Sequence, residues 1–260
     1  MQVSPSAPPE DKAAALPDPR SGLQAGGRDP VRVRAMFDAL APRYDLFNDI
    51  LSAGIHRRWR VRAVDALAPA RGRRYLDLCA GTLDLACQVA ARAPEATVVG
   101  ADFSLPMLSR GRAKTAAANR SAAGPVFPLA ADALSLPFPA AAFAGCAIGF
   151  GLRNLADWDA GLAEIGRVLE PGGRLVVLEF TTPPGRLFRA AYHGYFHHVL
   201  PRLGALIAGD PGTARYLPES VARFPDAAGL AAMMQGAGFS EVRWRLLTGG
   251  IAALHTGVWT

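Results

Sequence analysis

The chain has few cysteines and no long apolar run. Its three cysteines, Cys79, Cys87 and Cys146, are odd in number and show neither CxxC spacing nor a Cys/His ligand pattern. A disulfide framework and a cysteine-based metal site are therefore not expected, and the residues are typical of buried free thiols in a reducing compartment. No apolar stretch reaches the length of about 18–20 residues that spans a bilayer, and the N-terminus has no signal-peptide pattern. We predict a cytoplasmic protein.

Lysine is almost absent as well. The only lysines among 28 basic residues are Lys12 and Lys114, and the 22 acidic residues leave a net charge of +6 and a pI near 9.7. This balance fits ordinary surface charge or attraction to acidic lipid headgroups. No basic run is interleaved with aromatic residues, so nucleic acid is not an expected partner.

The N-terminal third contains two different kinds of sequence. Residues 1–30 are rich in Pro, Ala and Gly without periodicity, which predicts a disordered extension. From residue 31 apolar side chains recur at helical spacing, and Pro42 and Gly54 divide the pattern into two or three helices. We expect residues 31–260 to form a single domain, with a helical cap over 31–70.

The remaining sequence alternates between apolar runs and helical patterns. Five strands are predicted at 75–78, 97–103, 126–132, 143–150 and 174–180, with helices at 84–93, 105–119 and 157–169. Such alternation is typical of a parallel sheet covered on both faces. A helical insertion is expected over 181–225, followed by a helix at 226–237 and by strands at 241–249 and 253–260.

Acidic residues stand at the carboxyl ends of the first three strands. The first strand leads into the loop LDLCAGTLDLA (76–86), Asp102 ends the second strand, and Asp132-Ala133 ends the third. Ligands of doubly wound sheets bind at these strand ends, where a carboxylate can accept hydrogen bonds from ribose hydroxyls. Each aspartate alone can equally be a solvated acid or a helix cap. Together with Asp77 they favour an adenosine-containing ligand.

The loop itself discriminates between adenosine ligands. It lacks the GxGxxG pattern that brings backbone amides to a pyrophosphate, and Asp84 in the first helical turn would repel one. S-adenosylmethionine has no phosphate and carries cationic groups, so it fits better than NAD. Leu83 stands where a last glycine is expected. If Leu83 lies in the first helical turn with φ < 0, only packing is affected, and Ala80 can relieve it. We therefore expect a modified but working site.

Longer motifs make a family resemblance specific. MFDALAPRYDLFNDILSAGIHRRWR (36–60), GFGLRNL (149–155), RVLEPGGRLVVLEF (167–180) and AGDPGTARYLPESVARFP (208–225) resemble, in order, the ubiquinone/menaquinone biosynthesis C-methyltransferases. The resemblance implies a class I S-adenosylmethionine-dependent methyltransferase, with a Rossmann-like doubly wound sheet whose last strand is antiparallel. It also implies methylation of a ring carbon of a polyprenylated quinol. The substrate is either demethylmenaquinol, which we expect first, or a methoxy-polyprenyl-benzoquinol.

The same resemblance implies roles for individual residues. It places Arg153 and Asn154 beside the transferable methyl group as catalytic residues. Gly149 stands where many members have serine or alanine. The expected cofactor contacts are Asp77, Gly81, Thr82, Asp102, Asp132, Ala133 and Gly149.

Carbon methylation needs a nucleophilic ring carbon, which a phenol supplies once its hydroxyl is ionised. Phenols have a pKa near 10, so a base or a stabilising cation is required. Arg153 is always protonated and fits a phenolate-stabilising or water-orienting role, with a salt bridge closing the fourth strand as its alternative. Tyr44, Asn48 and Tyr216 are expected in the substrate pocket, or else are ordinary interface residues.

Three histidines cluster in the predicted insertion. His193 and His197 share a helical face with His198 beside them, but no carboxylate accompanies them, so no metal is expected. His193 is instead a candidate proton acceptor and substrate residue. The apolar stretch 187–209 fits either core packing or a channel for a polyprenyl tail at the inner face of the cytoplasmic membrane. The arginines at 57, 58, 60 and 62 would then meet acidic headgroups.

Two other functions stay open at this point. The chain can be a methyltransferase for another lipophilic phenol, or a non-catalytic scaffold of the quinone pathway whose altered loop no longer holds the cofactor. The oligomeric state is undetermined, and a homodimer is left open.

Overall fold

The computed structural model describes residues 29–120, 124–185, 194 and 211–260. The predicted disordered extension, apart from its last two residues, lies outside these ranges. So do the three clustered histidines, His193, His197 and His198, and nearly all of the apolar stretch 187–209.

A seven-stranded sheet forms the centre of the described chain, in the order β3-β2-β1-β4-β5-β7-β6. The first five strands are parallel, and β7 runs antiparallel to both β5 and β6. The predicted doubly wound sheet with an antiparallel last strand is thus confirmed. The strands are β1 Arg74–Leu78, β2 Thr97–Asp102, β3 Val126–Ala130, β4 Phe143–Gly149, β5 Leu169–Phe180, β6 Phe239–Leu247 and β7 Ala252–Trp259.

Eight described α-helices flank the sheet. Aspartate side chains cap three of them by accepting hydrogen bonds from the first turn, at Asp29, Asp157 and Asp226. The helices are α1 Pro30–Leu40, α2 Tyr44–Ser52, α3 Ile55–Leu67, α4 Asp84–Arg92, α5 Leu105–Arg120, α6 Trp158–Val168, α7 Pro211–Arg223 and α8 Ala227–Gly236.

The N-terminal helices break where the sequence predicts. A 3₁₀ turn, Ala41–Arg43, contains Pro42 and separates α1 from α2. Ala53 and Gly54 both adopt left-handed backbone, with φ of 47° and 74°, and separate α2 from α3. These two breaks fold the cap over the carboxyl ends of the strands.

Each face of the sheet buries its own apolar cluster. On one face α3 and α4 pack through residues such as Trp59, Val64 and Val89. On the other face α6 and α8 pack through residues such as Leu162, Ile165 and Met234. Burial on both faces explains why the parallel strands read as continuous apolar runs.

Most boundaries lie within two residues of the prediction, and two of the differences have a visible cause. Helix α6 ends at Val168 and β5 begins at once, because Leu169 pairs with Phe143 before the Pro171-Gly172-Gly173 segment, where the register shifts. Strand β3 ends at Ala130, two residues early, and Asp132 forms an isolated bridge with Ser135.

Candidate active site

Two adjoining cavities lie at the carboxyl ends of the parallel strands. The larger has a volume of about 390 Å³ and lies under the N-terminal helices. The smaller, of about 90 Å³, lies against the ends of β1, β2 and β4. Phe37, Tyr44 and Phe150 line both, so three aromatic rings mark the junction between them.

Asp102 organises the smaller cavity. Its Oδ2 accepts a hydrogen bond from the Gly81 amide and its Oδ1 one from the Ser104 amide, each at 2.8 Å. Burial raises the pKa of this carboxyl, and the amide hydrogen bonds oppose the rise. Gly81 turns the loop with φ of 53°. One carboxylate therefore fixes the loop after β1 on the end of β2.

Five of the seven predicted cofactor residues line the smaller cavity. They are Gly81, Asp102, Asp132, Ala133 and Gly149. Asp132 accepts a hydrogen bond from the Leu134 amide at 2.9 Å, which orients its carboxylate. A Cβ added at Gly149 would meet only the Leu85 side chain, at the ordinary contact distance of 3.5 Å. The cavity therefore has room for alanine at this position.

The other two predicted cofactor residues lie behind the cavity wall. Asp77 is almost fully buried, accepts a hydrogen bond from the Ala86 amide at 2.8 Å, and has its pKa raised by burial to about 8. Thr82 is 2% exposed and donates to Asp45 Oδ1 at 2.7 Å. Neither side chain lines the smaller cavity. In the structure both side chains support the loop that follows β1.

A charged cluster, here named the clasp, ties the N-terminal helices to the cofactor loop. Its members are Asp45, Arg60, Thr82, Asp84 and Lys114. Lys114 Nζ lies 2.9 Å from Asp45 Oδ2, 2.6 Å from Asp84 Oδ1 and 2.9 Å from Thr82 Oγ1. Arg60 Nη1 lies 2.7 Å from Asp84 Oδ2. Sequence reasoning missed this cluster, although the rarity of lysine was a signal.

Leu83 does not have the backbone conformation that was expected. It is the N-cap of α4 and lies in the left-handed region, with φ of 64°, so the expectation of φ < 0 was wrong. A β-carbon in that region costs about 1–2 kcal/mol. The side chain is fully buried, and a Cβ added at Gly111 would lie 2.7 Å from its Cδ1, while one at Gly100 would overlap its Cδ2. Two glycines make room for Leu83, in addition to Ala80.

Arg153 forms the salt bridge that was its alternative role. Its Nη1 lies 2.7 Å from Glu179 Oε1 on β5, with 7% and 1% of the two side chains exposed. Burial acts to lower the pKa of the guanidinium, but Glu179 raises it further, so the group stays charged. Arg153 also lines the larger cavity, so one side chain closes the strand end and brings positive charge to the cavity.

Two side chains of the FGLRN segment donate hydrogen bonds to the backbone of the same segment. Phe150 has φ of 60°, and its carbonyl oxygen accepts hydrogen bonds from Arg153 Nη1 at 2.5 Å and from Asn154 Nδ2 at 3.2 Å. Tyr216 donates its hydroxyl proton to Asn154 Oδ1 at 2.5 Å. Left-handed backbone at a bulky residue costs about 1–3 kcal/mol and is found mostly at functional sites.

The predicted substrate residues meet at the larger cavity. Tyr44, Asn48 and Tyr216 line it together with Arg153, whereas Asn154 lines the smaller one. Burial raises the pKa of Tyr44, and Asn48 and Arg60 only partly offset this. His193 lies outside the described residues.

Other residues of the larger cavity were not foreseen. Phe150 and Phe180 stack with ring centres 4.5 Å apart, and Trp59 meets both edgewise or tilted. His56 is 6% exposed, lines the cavity and contacts Ser52 Oγ through Nδ1 at 2.6 Å. The GIHRRWR segment carried both His56 and Trp59, but spacing alone gave neither a role.

The arginines predicted to face a membrane fall into two groups. Arg57, Arg58 and Arg62 are exposed, although Arg57 also pairs with Asp49 at 2.7 Å. Arg60 is buried and bonded to Asp84, so its predicted contact with headgroups was wrong. Among the described residues, no helix combines the length and apolarity needed to cross a bilayer.

Comparison with known proteins identifies the family of the chain. The model of the ubiE/COQ5 methyltransferase family matches residues 26–259. A demethylmenaquinone methyltransferase of Thermus thermophilus is 54% identical over 222 residues, covering 85% of this chain and 99% of the relative. One of Deinococcus radiodurans is 48% identical over 226 residues, covering 86% and 91%.

Solved structures support the fold. A Thermotoga maritima protein described as a SAM-dependent methyltransferase, possible histamine N-methyltransferase, superposes with a TM-score of 0.61 at 17% identity, covering 88% of this chain and 100% of its own. At that identity the likeness concerns the fold alone. The family match and the two close relatives carry the assignment, and the chain belongs to the ubiE/COQ5 methyltransferase family.

Proposed function

We propose that the chain methylates a ring carbon of a polyprenylated quinol, with demethylmenaquinol as the first candidate. The observation that carries the proposal is the junction of the two cavities, where a pocket that contains the strand-end carboxylates Asp102 and Asp132 opens beside an apolar pocket holding Arg153. Two relatives at 54% and 48% identity are named demethylmenaquinone methyltransferases, which favours the naphthoquinol over the benzoquinol.

The residues that line the smaller cavity suit the chemical groups of S-adenosylmethionine. Asp102 and Asp132 supply carboxylates at the ends of β2 and β3, where ribose hydroxyls and an adenine edge would be held. Gly81, Ala133 and Gly149 give close access to the backbone. Asp77 and Thr82, predicted as cofactor contacts, fit better as supports of the loop. When bound, S-adenosylmethionine supplies an electrophilic methyl group on a sulfonium.

The larger cavity fits a flat ring with an apolar tail. Phe150, Phe180 and Trp59 offer ring faces and edges, and Arg153 brings a cation that stabilises a phenolate. Tyr44 and Asn48 are placed to orient the ring hydroxyls. Holding the ring carbon in line with the cofactor supplies a large part of the rate enhancement.

The tail would leave the cavity beside α2. Ile50 lines the cavity and is 40% exposed, and Leu46 one turn earlier is 54% exposed. Arg58 and Arg62 on α3 are exposed as well. We propose that this edge contacts the inner face of the membrane peripherally. Co-sedimentation with liposomes, with and without anionic lipid at low and high salt, tests it, because equal binding in all four conditions contradicts an electrostatic contribution.

The activity is tested with purified protein, S-adenosylmethionine and a reduced short-chain demethylmenaquinol, by mass detection of the methylated ring. The expected product gains one methyl on the ring carbon. A methoxy-benzoquinol in parallel separates the two quinone routes. Absence of calorimetric binding of S-adenosylmethionine at millimolar concentration would favour the scaffold alternative, and methylation of only a non-quinol phenol would favour the other enzyme. Quinone profiling of a deletion strain identifies the substrate in the cell.

A further inference from the structure

Three polar side chains form a path through the wall of the larger cavity, with a hydrogen-bond contact as its first step and a longer contact of 3.7 Å as its second. Ser52 and His56 both line the cavity, and Ser52 Oγ lies 2.6 Å from His56 Nδ1. His56 Nε2 lies 3.7 Å from Asp49 Oδ1, and the Asp49 side chain is 33% exposed. The path therefore begins in the cavity and ends at solvent.

The break between α2 and α3 creates this path. Ser52 ends α2, His56 is the second residue of α3, and the left-handed pair Ala53 and Gly54 reverses the chain between them. Ser52 Oγ also lies 2.7 Å from the Asn48 carbonyl oxygen. The serine hydroxyl therefore has two acceptors within reach, one of them the imidazole.

Ring methylation of a quinol creates a need for such a path. A ring hydrogen is replaced by a methyl group, and one proton is released net. The described residues of the larger cavity include five with ionisable side chains: Tyr44, His56, Arg60, Arg153 and Tyr216. A guanidinium has no lone pair to accept a proton, burial keeps Tyr44 protonated, and Tyr216 donates its hydroxyl hydrogen to Asn154. His56 is the member of this set that can accept a proton.

We propose that Ser52, His56 and Asp49 relay the quinol hydroxyl proton from the larger cavity to solvent. The inference rests on the proposed quinol methylation. The hydroxyl oxygen of the quinol keeps the electron pair of its O–H bond and becomes a phenolate. Its proton passes to Ser52 Oγ while Ser52 gives its own proton to His56 Nδ1. The proton on Nε2 then passes to Asp49 and to water.

The electrostatics around His56 support this direction. The Asp49 carboxylate beside Nε2 favours the tautomer protonated there, which leaves the Nδ1 lone pair facing Ser52. Burial lowers the pKa of His56 to about 4, with Arg60 and Arg57 acting the same way and Asp49 and Asp84 opposing. The imidazole is thus neutral at neutral pH, and its protonated form is an unfavourable intermediate that exists only while the proton moves from Nδ1 to Asp49. A hydrogen bond from Arg57 lowers the pKa of Asp49, which releases the proton in turn.

A purely structural role makes a different prediction. His56 can serve only to fasten α2 to α3 through Ser52. Asparagine places an amide near the position of Nδ1, so His56→Asn keeps that contact but cannot relay a proton. His255, a buried histidine whose Nε2 contacts the Ala227 carbonyl at 2.8 Å, offers a matched control that lines neither cavity.

The test compares His56→Asn, Ser52→Ala and His255→Gln with the wild type. The relay predicts that His56→Asn lowers kcat about 10²- to 10³-fold, within the range for lost acid–base catalysis. The KM for quinol and the Kd for S-adenosylmethionine should stay within about threefold, since no binding contact is removed. Added imidazole should restore part of kcat to His56→Asn. His255→Gln should lower Tm and leave kcat unchanged.

A second measurement needs no turnover. Imidazole ¹⁵N spectra of the wild type should show neutral His56 protonated on Nε2 between pH 6 and 8. An Nδ1-protonated ring, wild-type kcat in His56→Asn, or a loss of kcat that imidazole does not restore would each overturn the relay alone. A wild type that neither binds S-adenosylmethionine nor methylates the quinol would overturn the proposed function, and the relay with it.

Discussion

The two cavities are built in different ways. The smaller one is formed by loops that follow strands, and its key side chain, Asp102, binds backbone amides close to the strand ends. The larger one is formed where three N-terminal helices pack on the sheet, and its side chains come from distant parts of the sequence. Arg153, for example, pairs with Glu179 and lies within 3.4 Å of Ser220. Local geometry fixes the first cavity, whereas tertiary packing fixes the second.

The largest effect is expected from breaking the buried ion pair of the larger cavity. Arg153→Met leaves Glu179 buried without its partner, which costs about 3–5 kcal/mol of unfolding free energy. We expect kcat to fall about 10²- to 10³-fold as well, from loss of phenolate stabilisation. Urea unfolding measures the loss of stability, and single-turnover kinetics measure the loss of methyl-transfer rate.

The double variant Arg153→Met with Glu179→Gln is the control. Removing both charges should restore most of the stability but not the activity. Recovery of activity in the double variant would show that Arg153 serves the fold only.

Leu83 tests how locally the smaller cavity is determined. Leu83→Gly relieves a left-handed backbone cost of about 1–2 kcal/mol but empties a fully buried site, which for Leu→Ala costs about 2–5 kcal/mol. We expect net destabilisation of about 2–3 kcal/mol and less than a tenfold change in S-adenosylmethionine affinity. Calorimetry measures both, and a gain in affinity above a hundredfold would mean that Leu83 had disabled the loop.

Gly111→Ala provides the matched change on the facing helix. The added Cβ would lie 2.7 Å from Leu83 Cδ1. Gly111→Ala should therefore destabilise the fold when residue 83 is leucine. It should cost less in a Leu83→Ala background, where only the approach of 2.9 Å to the Thr82 carbonyl carbon remains, and equal cost in both backgrounds would contradict the packing account.

Asp77 gives a pH-dependent effect on the cofactor side. Its folded-state pKa is about 8 against a usual value of 3.8, so the folded chain holds a proton that the unfolded chain loses. The stabilisation is complete below pH of about 4 and is lost as the pH rises through about 8. The slope is at most about 1.4 kcal/mol per pH unit. Asp77→Asn should remove it, so the difference between wild type and variant should change with pH from 5 to 8.

The smallest effect is expected at the clasp, which joins the two regions. Lys114→Met removes a partly exposed cation, and such ion pairs contribute about 0–1 kcal/mol to stability. We expect Tm to change little and the dissociation rate of S-adenosylmethionine to rise about tenfold, as the helices hold the loop less firmly. Stopped-flow displacement measures the rate, and Arg112→Met on the same helix is the control. An unchanged dissociation rate would show that the clasp contributes to folding only and does not slow the release of S-adenosylmethionine.

The same contrast explains what the sequence could reveal. Strand ends follow directly from apolar runs, and Asp102 and Asp132 were found because each stands at the carboxyl end of such a run. Ion pairs between distant residues have no sequence period. The partners of Arg153 and of Lys114 therefore could not be predicted, and Asp77 and Thr82 could not be recognised as lying behind the wall.

Leu83 and His56 show the same limit at single positions. The left-handed backbone of Leu83 depends on space left by Gly100 and Gly111, which are distant in sequence. The position of His56 in the larger cavity depends on the reversal at Ala53 and Gly54. The chain break was predicted from Gly54, but its effect on side-chain direction was not.

The aromatic junction has a thermodynamic consequence. Because Phe37, Tyr44 and Phe150 line both cavities, a ligand that orders these rings from one side prepares them for a ligand on the other. Linkage requires the coupling to be reciprocal, so the cofactor should tighten quinol binding by the same factor as the quinol tightens cofactor binding. Positive heterotropic cooperativity of this kind would favour formation of the ternary complex over either binary one.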